Sequence, residues 1–195
     1  MTEDASRGLT LANKITISRL LLVPVFVACL IYRRPGPGLV IFLLASVADT
    51  LDGYLARSQG EHTALGAMLD PMADKLLMFS AYVIMAAYGL IPVWLAITVI
   101  GRDIVISAGF LWLYLAKGFV IPAPTPLGRT TTVTQVLSMV FALLVWAAGG
   151  EVFWAPIHWA LTFLYFLTGT LTAASGIHYF IFVGGRMASR RESPE

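Results

Sequence analysis

Six long apolar runs, each near the length a helix needs to cross a lipid bilayer, leave this chain few ways to fold. They cover roughly residues 15–32, 37–57, 66–89, 92–116, 130–148 and 155–183. A hydrocarbon core is spanned by about 20 apolar residues in helical form. The breaks between the runs, "RRPGPG", "RSQGEH", "GLIP", "KGFVIPAPTPLG" and "AGGE", are turn-like. The runs lack the polar–apolar alternation of barrel strands, so helices remain as the way to satisfy backbone groups in lipid. The expected fold is an all-α membrane protein, a bundle of six transmembrane helices. Composition agrees. Of 195 residues, 58% are hydrophobic and 12% charged, with a mean hydropathy of +0.80, whereas soluble domains carry about 25% charged residues.

The first run does not read as a signal peptide, because no small-residue cleavage site follows it. The loop "YRRPGPG" leads into the second run, its alternating Pro and Gly making a turn. The single cysteine, Cys29, lies inside an apolar run and allows no intrachain disulfide. The chain divides into a cytoplasmic N-terminal segment (1–14), a six-helix domain (15–185) and a cytoplasmic tail (186–195), with "MTEDASRG" and "SRRESPE" expected to be disordered.

Basic residues orient the spans. With the N-terminus in the cytoplasm, Arg7, Lys14, Arg57, Lys117, Arg129, Arg186, Arg190 and Arg191 lie in or near cytoplasmic segments, and only Arg33 and Arg34 lie outside. Arg19, Lys75 and Arg102 fall within runs. Six spans return the C-terminus to the cytoplasmic side. A bacterial inner membrane is the expected location, and with a net charge of only +2 no nucleic-acid partner is expected.

Against this apolar background, "DTLDGYLARSQGEHTALGAMLDPMAD" holds four aspartates, Asp49, Asp52, Asp70 and Asp74. The second run ends, and the third begins, at the cytoplasmic side, so all four carboxylates approach one another there. Helical positions three or four apart share a face. Asp49, Asp52, Gly53 and Ala56 fall along one face, and Gly66, Asp70 and Asp74 along another. Small residues beside the acids allow a helix or ligand to approach the backbone. An ionisable side chain within a membrane segment costs about 2.5–3.5 kcal/mol at mid-bilayer on insertion scales, and clustered carboxylates repel. A divalent cation relieves both costs, and oxygen donors suit Mg²⁺, Mn²⁺ or Ca²⁺. Carboxylate-held Mg²⁺ often binds phosphate. Arg57 carries a guanidinium suited to phosphate oxygens, and Lys75, Arg102 and Arg129 could add positive charge. The residues point to a metal-dependent site for a phosphorylated ligand.

Simpler readings exist for each element. The acids could pair with Arg57, Lys75 and Arg102, or flank the spans in water. Asp70 and Pro71 could be an N-cap and a first helical residue. His62, His158 and His178 are scattered and read as loop or interfacial residues. Trp94, Trp112, Trp146, Trp154 and Trp159 read as interfacial or packing residues. A cation channel or carrier also places acids in spans, but a pathway is lined on both sides. Near the outer ends of these spans the only acid is Glu151, in a loop.

Asp49, Asp52–Gly53, Ala56–Arg57, Gly66, Asp70 and Asp74 form D-x2-D-G-x2-A-R-x8-G-x3-D-x3-D without a departure. This resembles the signature of the CDP-alcohol phosphatidyltransferases. The resemblance implies a six-helix bundle, usually a homodimer, with a polar cavity open to the cytoplasm. It implies transfer of a phosphatidyl group from CDP-diacylglycerol to an alcohol, with release of CMP. Asp49, Asp52 and Asp70 would be ligands of two divalent cations, Mg²⁺ or Mn²⁺, and Asp74 both ligand and general base. Gly53, Ala56 and Gly66 would let the cytidine nucleotide pack on backbone, and Arg57 would contact its phosphates.

"NKITISRLLLVPVF", "DPMADKLL" and "GRDIVIS" resemble both the phosphatidylglycerophosphate synthases and the cardiolipin synthases of this family. The former usually carry Arg–Glu and a second arginine a few residues on. Here Arg102 is followed by Asp103, and "SAGFLWLY" offers no second arginine. With "LIPVWL", "PTPLGRTTTVTQ" and "LTAASGIHYF", that departure leans toward the eukaryote-type cardiolipin synthases. Glycerol-3-phosphate is nonetheless narrowly favoured as acceptor, as the commoner bacterial activity, with phosphatidylglycerol second. Arg102 and Arg129 could serve either acceptor's phosphate. Asp74→Asn is expected to abolish CMP release while the protein still inserts and folds; near-wild-type turnover would remove Asp74 from the base role.

Overall fold

The computed structural model describes the backbone of residues 11–59, 64–117, 126–149 and 155–188, and the side chains of residues 20–48, 75–109, 126–149 and 156–181. It holds six helices, α1 (Leu11–Ile31), α2 (Pro35–Gln59), α3 (Ala64–Ala87), α4 (Val93–Lys117), α5 (Pro126–Ala147) and α6 (Ala155–Ala188). Among the described residues there is no strand. Each helix matches one apolar run to within a turn or so. The two chain ends expected to be disordered lie mostly outside the described residues.

Two local expectations are corrected. The Pro–Gly–Pro–Gly stretch is not the turn but the first turn of α2. Proline is tolerated there because its missing N–H has no helical partner anyway. The reversal itself occupies Tyr32–Arg34, where Arg33 takes φ 53 and Arg34 N–H donates to Cys29 O at 2.8 Å. Similarly, α3 starts at Ala64, so Asp70 is not an N-cap and Pro71 lies inside the helix. Pro71 has no N–H for the Ala67 carbonyl, as Pro24 within α1 has none for Leu20. Gly89, at φ +70, donates its N–H to Ala86 O at 3.0 Å and closes α3.

The six-span expectation is also coarser in outcome. Among the described residues, Pro126–Ala147 and Pro156–Ile181 are long and apolar enough to cross a membrane by length and composition. Leu20–Ile31, Pro35–Ala48 and Lys75–Ala87 are shorter apolar stretches. In α2 and α3 the remaining length belongs to the segment bearing the aspartates, and α4 carries Arg102 and Asp103 in its middle.

The chain forms two compact units, Met1–Met85 with Leu143–Glu151, and Ala86–Ala142 with Val152–Glu195. In the first, α1 packs on α2. Phe26 and Phe42 meet in a tilted pair with centroids 5.8 Å apart. Leu30, Leu39 and Ala45 are buried beside them in sequence, and Leu77, Ala81, Tyr82 and Met85 are buried on α3. A side chain at Gly38 would sit 3.1 Å from Leu30 Cδ2, so the bare backbone there sets how closely α2 approaches α1.

The second unit buries polar side chains as well as apolar ones where α5 and α6 meet. The buried residues of α6 include Thr168, Thr172 and Ser175, and those of α5 include Thr131, Gln135 and Ser138. Both sets follow i, i+4, i+7 spacing and so form one face of each helix. The exposed face of α6 carries Trp159, Phe163, Phe166, Ile177, Phe180 and Ile181, with Trp159 75% and Phe180 72% accessible. The buried hydroxyls and amide bond across the interface. Ser138 Oγ and Thr168 Oγ1 are 2.6 Å apart, Gln135 Nε2 donates to Thr172 Oγ1 at 3.1 Å, and Thr131 Oγ1 reaches Leu171 O at 3.2 Å. Thr168 Oγ1 also lies 3.2 Å from Thr134 O. In water a large exposed apolar face would be a liability; in lipid it is the required surface, and polar groups between helices bind them together.

On α4, Leu95, Ala96 and Val99 mark the buried side, with Ile91 buried in the turn before it, and α6 packs against α4. Trp94 meets Phe166 in a tilted pair, centroids 5.3 Å apart, and lies over Gly169, where an added Cβ would clash with its Cζ3. Tyr165 Oη donates to Leu90 O at 3.1 Å, tying α6 to the turn before α4. Ser138→Ala and Thr168→Val are each expected to lower stability by about 0.5–2 kcal/mol in detergent unfolding. A double-mutant cycle should give a coupling of about 0.6 kcal/mol or more; zero coupling would mean that the short contact contributes no stability of its own.

Candidate active site

The eight motif positions fall on helical backbone. Asp49, Asp52, Gly53, Ala56 and Arg57 belong to the last three turns of α2, and Gly66, Asp70 and Asp74 to the first three turns of α3. In a continuous helix, positions 49, 52 and 56 share a face, as do positions 66, 70 and 74. The side chains of all eight lie outside the described residues. Lys75, one position after Asp74, is half-buried.

The donor set these positions offer is four carboxylates, and nothing softer. Anionic oxygen donors match the hard divalent ions and not zinc or copper. The chemistry of the residues present therefore fits the expected Mg²⁺ or Mn²⁺. Among the described residues no group of three or more His, Cys, Asp and Glu side chains that could hold a metal ion occurs.

The second unit holds the other basic candidates. Arg102 projects from α4 into its contact with α6. Its Nη1 donates to Asp103 Oδ1 at 2.7 Å and its Nη2 to Ser175 Oγ at 3.4 Å. Its stem runs over Gly176, where an added Cβ would lie 3.6 Å from Arg102 Cγ. Only 14% of the Arg102 side chain and 24% of the Asp103 side chain are accessible. The Arg102 Nε is buried and has no hydrogen-bond acceptor among the described residues. Asp103 thus neutralises part of the Arg102 charge. Arg129 is exposed in the first turn of α5.

Ser175, Gly176 and Tyr179 were not among the residues that the sequence pattern pointed to. For Ser175 the available signal was its place in the Thr168, Thr172, Ser175 spacing on α6; Gly176 and Tyr179 carried none. His158 and His178 are exposed on α6, His62 lies outside the described residues, and Trp94 serves packing.

A profile of the CDP-alcohol phosphatidyltransferase family matches residues 9–171, which takes in α1 to α5 and the first half of α6. The chain belongs to the CDP-alcohol phosphatidyltransferase family. It is 32% identical over 149 residues to a CDP-diacylglycerol–glycerol-3-phosphate 3-phosphatidyltransferase of Bacillus subtilis, covering 69% of this chain and 76% of that one. It is 32% identical over 180 residues to a probable phosphatidylglycerophosphate synthase of Mycobacterium tuberculosis, covering 89% of this chain and 81% of the relative. It is also 33% identical over 192 residues to a probable CMP-forming cardiolipin synthase of Drosophila melanogaster, covering 91% of this chain but only 58% of the longer relative. The chain is therefore an enzyme, a membrane-associated phosphatidyltransferase of phospholipid synthesis, and the channel or carrier reading gives way. Identity is even between the two acceptor branches, so overall similarity does not choose between them.

Proposed function

We propose that this phosphatidyltransferase moves the phosphatidyl group of CDP-diacylglycerol to a hydroxyl of a phosphate-bearing glycerol, releasing CMP, with glycerol-3-phosphate narrowly ahead of phosphatidylglycerol. The observation that carries the reading is the unbroken eight-position motif, which spans the end of one helix and the start of the next. The relatives named for glycerol-3-phosphate and for cardiolipin synthesis support both acceptors, and both present a glycerol hydroxyl near a phosphate. The working form in this proposal is a homodimer of six-span subunits in a bacterial inner membrane, domain 15–185, with residues 1–14 and 186–195 cytoplasmic.

Asp49, Asp52, Asp70 and Asp74 are assigned to two Mg²⁺ or Mn²⁺ ions, which when bound neutralise the diphosphate and the charge that grows on departing CMP. Gly53, Ala56 and Gly66 leave the backbone open to the cytidine nucleotide, and Arg57 binds its phosphate oxygens. Lys75, Arg102 and Arg129 are assigned to the acceptor's phosphate. The acceptor hydroxyl oxygen bonds to the phosphatidyl phosphorus, the bond from that phosphorus to the CMP oxygen breaks, and the hydroxyl proton passes to Asp74. Direct displacement is preferred to a covalent intermediate, because no activated nucleophile accompanies the cluster.

Purified protein given CDP-diacylglycerol and Mg²⁺ is expected to release CMP when glycerol-3-phosphate is added. Activity with phosphatidylglycerol and none with glycerol-3-phosphate would reverse the order of acceptors. Exhaustive chelation is expected to stop turnover and added Mg²⁺ or Mn²⁺ to restore it; turnover that survives chelation would sink the metal assignment.

A further inference from the structure

Two buried polar atoms without partners lie on one interface, that of α4 with α6. One is Arg102 Nε and the other is the hydroxyl of Tyr179. Arg102 meets α6 at Ser175 and Gly176. Tyr179 meets α4 at Gly109, where an added Cβ would lie 3.0 Å from its Cε1 and 3.3 Å from its hydroxyl oxygen. The two contacts are therefore successive along the same helix pair, within one compact unit. On α6 their residues are about one turn apart, about 5 Å along the axis, and on α4 they are about two turns apart, about 10 Å. Elsewhere in this unit the buried hydroxyls and amide of Thr131, Gln135, Ser138, Thr168 and Thr172 are satisfied by α5–α6 bonds. A buried hydroxyl or guanidinium N–H left without a partner is destabilising, because it loses its bonds to water and gains none in return. Two such orphans on one helix interface, in a unit that satisfies its neighbours, mark a place where the partner comes from outside the chain.

We propose that Tyr179 is an acceptor-specificity residue. Its hydroxyl hydrogen-bonds an oxygen of the acceptor's glycerol while Arg102, held by Asp103 and Ser175, takes the phosphate of the same acceptor. This rests on the phosphatidyltransferase reading and on the assignment of Arg102 to that phosphate. The chemical class is a three-carbon polyol bearing a phosphate, whether free in solution or as a lipid headgroup. A cation and a polar hydroxyl on one helix interface suit the two ends of such a molecule. Gly109 matters because any larger residue would push the phenol away, and Ser175 acts as a positioning residue for the guanidinium.

The test compares wild type, Tyr179→Phe, Gly109→Ala and Ser175→Ala as full-length protein in lipid nanodiscs, with CMP release as readout. Glycerol-3-phosphate and vesicle-borne phosphatidylglycerol are used in separate arms. Tyr179→Phe keeps the ring and its packing and removes only the hydroxyl. It should raise KM for the acceptor that the wild type uses by about tenfold, the equivalent of one lost hydrogen bond, with KM for CDP-diacylglycerol and Tm unchanged. Gly109→Ala should act in the same direction. Ser175→Ala should raise acceptor KM by a smaller factor and leave kcat within about twofold. An unchanged acceptor KM in Tyr179→Phe overturns the proposal, as does a fall in Tm with both KM values rising together, which is the pattern of a packing role. Wild type that releases no CMP with either acceptor would instead fail the phosphatidyltransferase reading itself. The arm in which the Tyr179→Phe effect appears identifies the source of the polyol phosphate.

Discussion

Hydrogen bonds between apolar helices are the constraint on which the second unit depends. In lipid, oil against oil offers little to choose one helix pairing over another, and association relies on close packing and on polar contacts between helices. Here Ser138 with Thr168, Gln135 with Thr172 and Thr131 with the Leu171 carbonyl run along α5 and α6 in register. Each donor is buried, so each would be costly if the helices slid or separated. The outer faces, with Trp159, Phe163 and Phe180 exposed, then meet hydrocarbon without penalty. Small residues finish the fit: Gly169 admits the Trp94 ring, and Gly176 admits the stem of Arg102.

The two units distribute their polar groups differently. In the second, polar side chains are mostly mutual partners and hold helices together. In the first, the packed part is hydrophobic, with Phe26 on Phe42 and Tyr82 and Met85 buried, while the acids are confined to one end of α2 and one end of α3. Separating the two jobs makes physical sense. On the proposed assignment, acids that exchange ions and phosphate with each turnover would be poor choices for the groups that fix helix positions. Arg102 stands between these cases, since Asp103 and Ser175 occupy two of its nitrogens and leave Nε free.

Much of this was readable from residues alone. Hydropathy located all six helices, since a run of about 20 apolar residues has little choice but to be helical in lipid. The motif from Asp49 to Asp74 identified the family because its spacing combines acids with small residues in a pattern that packing alone does not require. That Pro35–Gly38 opens α2, and that Pro71 lies within α3, were not readable. Proline looks like a loop former until its backbone is seen in a first turn, and Pro71 looks like a helix start although α3 tolerates it inside. The α5–α6 ladder was legible only in hindsight, as hydroxyls at 131, 138, 168, 172 and 175 with the Gln135 amide. A threonine in an apolar run has two fates, bonding its own helix or a neighbour, and Thr132, which bonds Gly128 O, shows the first. Tyr179 could not be singled out at all, because an aromatic in a membrane helix gives no hint of whether its hydroxyl is satisfied.

The spacing of those buried hydroxyls also limits how the molecule can move. A swivel of α6 by one residue, about 100°, would turn Thr168, Thr172 and Ser175 toward hydrocarbon and bring phenylalanines inward. The rotational setting of α6 thus behaves like a detent with one deep notch. Any opening that admits a two-tailed lipid is better supplied by tilting whole helices, with α5 and α6 travelling as a latched pair.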